Sequence, residues 1–146
     1  MLCRGLPIIM TWMYQGNPLI IAPEDVVGFV YIITNTLTGM QYVGKKLFTA
    51  GKIKQVKGKK KKYRVESDWA EYYGSNNKLK ADVEFHGKES FEREILHLCT
   101  TKGQCSYFEA KEQFARCVLE HPELYYNEQI RTRIHRSHLK LCHSSS

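Results

Sequence analysis

The sequence predicts an α+β fold: a small, mostly antiparallel three-stranded sheet flanked by helices, with a basic loop inserted. Three observations carry that expectation. Two β-type runs, GFVYIITN and QYVG, lie close together and are joined by a polar turn. Segments with helical spacing come after the two runs and do not alternate with them. Between them sits a glycine-broken lysine run with no apolar period of its own.

Each element has a local reason. PIIMTWMY and PLIIA flank the turn signal QGN, which predicts an N-terminal hairpin or arm over residues 1–26, with APED as a connector. Val27 to Thr34 is apolar on both faces, as a central strand covered on two sides must be. Gln41 to Gly44 forms a shorter partner. With NTLT as a four-residue loop, Tyr31 faces Tyr42 and the two phenols share a face. A five-residue loop puts them on opposite faces, because one residue of slip inverts every side chain. Gly51 and Gly58 interrupt the basic segment, which suits a loop or a lysine-studded ribbon better than a helix.

The second half reads as one helical turn in SDWAEYYGS, then a short helix in SNNKLKADVEFHG. Ser75 caps that helix, Leu79, Val83 and His86 form a stripe, and Gly87 stops it. FEREILHLC reads as a third strand, although EREIL also fits a helix. SYFEAKEQFARCVLEH has the strongest helical pattern. Ser106 and Glu109 have capping-box spacing, Phe108, Ala115, Val118 and Leu119 give an apolar face, and Pro122 is the stop. A main domain over 27–128, with its basic insertion at 49–66, is then followed by a basic arm at 129–146.

Composition narrows the function. The net charge is +7, yet Gly51 to Arg64 carries eight Lys or Arg residues and no acid. Gln129 to Ser146 adds four more cations and no acid, so the rest of the chain is mildly acidic. Cations clustered this way attract polyanions, because each neutralised phosphate releases counterions. No run approaches the ~20 apolar residues of a membrane helix, and no signal peptide is recognisable. A cytoplasmic protein is expected. The five cysteines are irregularly spaced, without a C-x2-C pair, which argues against a disulfide framework or a zinc site. His135, His138, Cys142 and His143 read as solvated tail residues more readily than as half a metal site. No helix-turn-helix or zinc finger is recognisable.

Five features in order, from Gly28 to Asn127, carry a family resemblance. GFVY supplies a first tyrosine and YVG a second, with ITNTLTGMQ between them. EFHGKESFEREIL follows as a helix-stop-strand segment, FEAKEQFARCVL as a glutamate-bearing helix and YYN as a closing asparagine. Together they resemble the GIY-YIG nuclease superfamily. The lysine insertion and DWAEYYGS look most like its phage-encoded, homing-endonuclease branch.

The resemblance implies hydrolysis of a phosphodiester in double-stranded DNA, with one Mg²⁺ or Mn²⁺ ion and no organic cofactor. It makes Tyr31 the base, Tyr42 a positioning group, and Lys45 or Lys46 the amine that lowers the Tyr31 pKa. Glu109 and Glu112, three apart on one helix face, both remain candidates for the metal ligand. Asn127 orients a site group or ties the last segment to the sheet. Gly28 and Gly44 mark close backbone approaches, or simply strand ends. The family arginine after Tyr-x-Gly has no counterpart before Arg64, which must fold back to serve unless Lys45 and Lys46 substitute; Arg93 is a further candidate, better read as a strand-face residue. Tyr73 stands where other members use a histidine, or is a packed aromatic. Lys52, Lys54, Lys57, Lys59, Lys60, Lys61 and Lys62 are expected on DNA phosphates, with Arg131, Arg133 and Arg136 in the arm. The competing reading is a catalytically impaired relic that only binds nucleic acid. A third is a basic RNA-associated protein.

Overall fold

The computed structural model describes residues 10–143, without the side chains of 140–143. A five-stranded sheet has the order β2-β1-β7-β3-β4, and a separate two-stranded ribbon pairs β5 with β6. The strands are β1 (Trp12–Tyr14), β2 (Asn17–Leu19), β3 (Gly28–Asn35), β4 (Gln41–Leu47), β5 (Thr49–Val56), β6 (Lys59–Glu66) and β7 (Phe91–Cys99). The helices are α1 (Asn77–His86) and α2 (Lys102–Ala115), with a 3-10 turn at Trp69–Glu71. The three expected strands form the middle and one edge of the sheet. The N-terminal hairpin extends it, through a parallel pairing of β1 with β7. Trp12 makes the hairpin integral to the core: it is buried and donates its indole N–H to the Trp69 carbonyl at 2.6 Å.

β3 is buried on both faces, as its unbroken apolar run requires. One face holds Trp12, Phe29, Tyr31, Ile33, Ile95 and Trp69, with Leu79 and Val83 from α1. The other holds Val30, Ile32, Val43 and Cys99 against Cys105 and Val118. A bulge between Val30 and Tyr31 shifts the register with β7, so that Tyr31 faces Ile95 and Val30 faces His97.

The β3–β4 register differs from the expected one by two residues. Tyr31 faces Gly44 and Ile33 faces Tyr42, because the loop is Thr36 to Gly39 and not Asn35 to Thr38. Asn35 is what fixes it: its Oδ1 accepts from Leu37 N at 3.0 Å, and its carbonyl accepts from Gly39 N at 2.7 Å. A two-residue slip preserves the face, so the phenols still lie together, with ring centroids 6.2 Å apart.

Both helix starts also differ. Asn76, not Ser75, caps α1, its side chain accepting from Leu79 N. Thr101 caps α2 and bonds Gln104 N, so Ser106 and Glu109 lie inside the helix and form no capping box. α2 ends at Ala115, well before Pro122, and Cys117 adopts a positive φ of 55°. Val118 packs on the sheet from the turn that follows, while Leu119 and Phe114 are exposed. Residues 128–135 have no regular structure, and Arg131, Arg133 and Arg136 are exposed. Among the described residues Cys105 and Cys117 are free thiols, no helix is long and apolar enough to cross a membrane, and no group of three or more His, Cys, Asp or Glu side chains is placed to hold a metal ion. The Cys142 and His143 side chains, like residues 1–9, lie outside the described residues.

Candidate active site

The site forms where β4, the free edge of the sheet, meets the first turns of α2 and the base of the ribbon. Tyr31 lies directly across from Gly44, and its ring passes over the strand there. A Cβ at position 44 would sit 2.5 Å from the Tyr31 hydroxyl and 3.0 Å from the Tyr42 ring. Only glycine allows both phenols this placement. Gly28 serves packing instead: a Cβ there would meet the Lys46 carbonyl at 2.7 Å and Cys105 Sγ at 3.1 Å.

The two tyrosines differ in access. Tyr31 is 1% exposed, wedged among Trp12, Phe29, Tyr42 and Tyr72. Tyr42 is half-buried, and its hydroxyl lies 3.3 Å from Ser75 Oγ. Burial pushes the Tyr31 pKa well up, reinforced by Tyr72, Tyr42 and the Glu109 carboxylate. Burial also raises Tyr42, against the lowering effect of its bond to Ser75.

The lysines do not do what was expected of them. Lys45 Nζ donates to Ser106 Oγ at 2.8 Å and pairs with Glu109 at 3.6 Å. Lys46 pairs with Asp68 at 2.6 Å and lies 4.1 Å over the Tyr72 ring, and its hydrogen bond lowers the Asp68 pKa. Their charge is spent on carboxylates, and neither phenol is acidified in the free protein.

The two glutamates are separated by the helix. Glu109 turns to the site: its side chain is 16% exposed, its pKa is raised by burial, and it acts on both phenols. Glu112 turns toward β7, where His97 Nε2 lies 2.7 Å from Oε2 and Arg116 Nε donates to Oε1 at 3.1 Å. Those bonds hold its pKa down despite some burial. His97 also stacks on Phe108. Of the two expected candidates, Glu112 is thus tied to His97 and Arg116, and Glu109 is the one that faces the phenols.

Arg64 is held against the neighbouring strand of the ribbon. Its Nε donates to Thr49 Oγ1 and its Nη2 to the Thr49 carbonyl, both at 2.7 Å. With Lys45, Lys46, Lys102 and Ser67 it lines an open cleft of about 460 Å³. Arg93 is buried and clamps the carbonyls of Ala70, Tyr72 and Met10 between the Trp12 and Tyr73 rings. It is a strand-face residue and not a phosphate ligand. Tyr73 packs on that guanidinium, with its hydroxyl buried and unpartnered among the described residues. The site tyrosine of this segment is its neighbour Tyr72, which the sequence reading missed; alternation along the extended chain after the 3-10 turn was the available signal. Ser106, Lys102 and Asp68 were missed as well.

Asn127 closes the open edge of β4. Its Oδ1 accepts from Val43 N at 3.0 Å and its Nδ2 donates to Val43 O at 2.9 Å, mimicking a paired strand. Gln113 Nε2 adds a second donor to Val43 O at 3.0 Å. Gln41 N and O pair with Leu124 O and Tyr126 N. The strand between the two motif residues, Tyr42 and Gly44, is therefore held rigidly from its outer side.

A sheet with a phenol pair across a glycine, a helix carboxylate beside them and an edge strand tied by an asparagine defines a GIY-YIG-type nuclease domain. The chain belongs to the family described as "Putative endonuclease segE, GIY-YIG domain", which matches residues 12–130. No curated protein and no solved structure matches it. Membership assigns the chain to an endonuclease family and gives it a nucleic-acid substrate.

Proposed function

We propose that this protein is a divalent-metal-dependent endonuclease of double-stranded DNA, of the phage homing type. The observation that supports it most is the convergence of Tyr31, Tyr42 and Glu109 close to a cleft whose charged lining is cationic, with Lys45 joining the two through its pair with Glu109. Glu109 fits Mg²⁺ or Mn²⁺ in one mode. A buried carboxylate outside any group of three or more ligating side chains, among the described residues, suits an ion that keeps its waters and takes its remaining ligands from the substrate phosphate. Lys45 pairs with this carboxylate in the free protein and would be released to a substrate phosphate if Glu109 held the ion. When bound, the ion neutralises charge on the phosphorane and the leaving oxygen.

The chain supplies the rest. Tyr42, half-buried, orients the attacking water; Tyr31 first gives its phenol proton to solvent and, as the phenolate, takes a proton from that water as the water oxygen bonds to phosphorus and the leaving oxygen departs. Burial, with Tyr72, Tyr42 and Glu109, keeps Tyr31 neutral in the free protein, and a cation held at Glu109 would favour its phenolate. Arg64, Lys46 and Lys102 hold the phosphates on either side of the scissile bond, and Asn127 keeps β4 in place. Arg64 lining the cleft with Lys45, Lys46 and Lys102 supports this reading over a non-catalytic relic. Supercoiled plasmid with Mg²⁺, beside an EDTA control, tests the proposal. Nicking or linearisation only with the metal supports it, and a gel shift without any metal-dependent cutting refutes it.

A further inference from the structure

The inserted basic segment is not a loop. It is a ribbon of eight continuous antiparallel pairs, from Thr49 opposite Glu66 to Val56 opposite Lys59. Its turn is Lys57–Gly58, with φ of 49° and 75°, the pair of positive values a two-residue hairpin turn needs. Among the described residues the ribbon pairs with no other strand, and residues 51–64 are all exposed. Eight residues span roughly 26 Å. A single two-stranded ribbon matches the ~12 Å width of the B-DNA major groove.

Register divides the side chains between two faces. Ile53, Gln55, Lys60, Lys62 and Arg64 share one, and Lys52, Lys54, Val56, Lys59, Lys61 and Tyr63 the other. The Arg64 face runs into the cleft at the base of the ribbon, since Thr49, Gly51 and Arg64 line that cleft together with Lys45 and Lys46, and Lys45 pairs with Glu109. DNA seated there lies along this face. It also carries side chains that phosphate tracking does not use: Ile53, 63% exposed, and the Gln55 amide. An apolar side chain suits a thymine methyl, and an amide suits the N6/N7 edge of adenine.

Building on the nuclease reading, we propose that the β5–β6 ribbon enters the major groove of duplex DNA with Ile53 and Gln55 toward base edges, while the lysines reach phosphates on both walls. The insertion then gives sequence preference as well as affinity. A-form duplex RNA, with its deep and narrow major groove, cannot admit it.

The test is binding without cleavage, by fluorescence anisotropy in EDTA. The probes are a duplex DNA, the same duplex with bulky C5 substituents on its cytosines, and a duplex RNA of the same sequence. The C5 groups fill the major groove and weaken binding about tenfold or more, as does RNA. Selection from a random duplex pool gives a preferred sequence for the wild type, and I53A/Q55A flattens it while mean affinity falls less than about threefold. K52A/K54A instead weakens all sequences alike and lowers the salt slope by about two. Both substituted faces are exposed, and unchanged circular dichroism confirms folding. Equal binding to the C5-substituted duplex, equal binding to RNA, or an unchanged preference in I53A/Q55A overturns the inference. Groove-dependent binding without Mg²⁺-dependent cutting leaves the ribbon inference standing and refutes the nuclease reading alone.

Discussion

Gly44→Ala tests the geometry with one added methyl group. The new Cβ would sit 2.5 Å from the Tyr31 hydroxyl, 2.8 Å from Tyr31 Cζ and 3.0 Å from Tyr42 Cε2. Ordinary contact begins at 3.4 Å, so the Tyr31 ring must retreat by about 0.9 Å. It has nowhere to go, because Trp12, Phe29 and Tyr72 close the other sides. Overpacking of this kind costs about 1–3 kcal/mol. For a chain of this length that lowers Tm by roughly 3–12 °C. Activity falls further, since a displacement of ~1 Å at a reacting group is worth about 10²-fold. Thermal unfolding and plasmid cleavage on the same preparations measure both. Tyr31→Leu removes both clashing Tyr31 atoms, so the double variant loses less stability than the two singles together, by about 1 kcal/mol. A Gly44→Ala protein with wild-type Tm and wild-type cleavage refutes the packing of Tyr31 across position 44.

Glu112→Gln loosens the His97 and Arg116 bonds and lowers stability by about 1 kcal/mol, while Mg²⁺-dependent cleavage of the folded protein stays near wild type. The pH dependence of its stability changes in one direction only. Glu112 has a depressed folded pKa, so its contribution is present above the ordinary glutamate value and is lost as pH falls through the folded pKa; chemical denaturation of the Gln variant shows a shallower acid-side loss. Glu109 has the opposite sign. Its raised folded pKa favours the protonated form, stability falls as pH rises past the ordinary glutamate value, and Glu109→Gln is at least as stable as wild type at neutral pH. Asn127→Ala leaves Val43 N without its buried acceptor and costs about 1–3 kcal/mol by denaturant unfolding. Asn127→Asp keeps the acceptor, sets a carboxylate against Val43 O, and is no better.

The central strand was legible because β3 needs apolar residues on both faces; Gly44 was expected at a close backbone approach or a strand end, and the structure shows the Tyr31 ring crossing it. The register was not, because Asn35 closes the loop with its own side chain and so moves the turn by one position. A cap was misread at α2 for a related reason. Ser106 and Glu109 have capping-box spacing, but Thr101 captures the helix start through Gln104, and α2 begins a turn earlier than the pattern suggests. That earlier start fixes the rotation of the helix and hence which glutamate reaches the phenols, a difference three residues of spacing cannot express. Lys45 and Lys46 were read by their adjacency to the tyrosines. Alternation along β4 sends one to Glu109 and the other to Asp68. Tyr72 and Tyr73 are neighbours in sequence, and only the Arg93 clamp shows which of them the core takes.

The most direct measurement is single-turnover cleavage of a duplex substrate by wild type, Tyr31→Phe and Glu109→Gln across a Mg²⁺ titration, with folding checked for each. The account predicts metal-dependent cutting by wild type. It predicts loss of about 10²-fold or more in both variants, with the Glu109→Gln defect accompanied by lost metal dependence. Cleavage by Glu109→Gln with wild-type rate and Mg²⁺ response contradicts the claim that this carboxylate and the two phenols serve one centre.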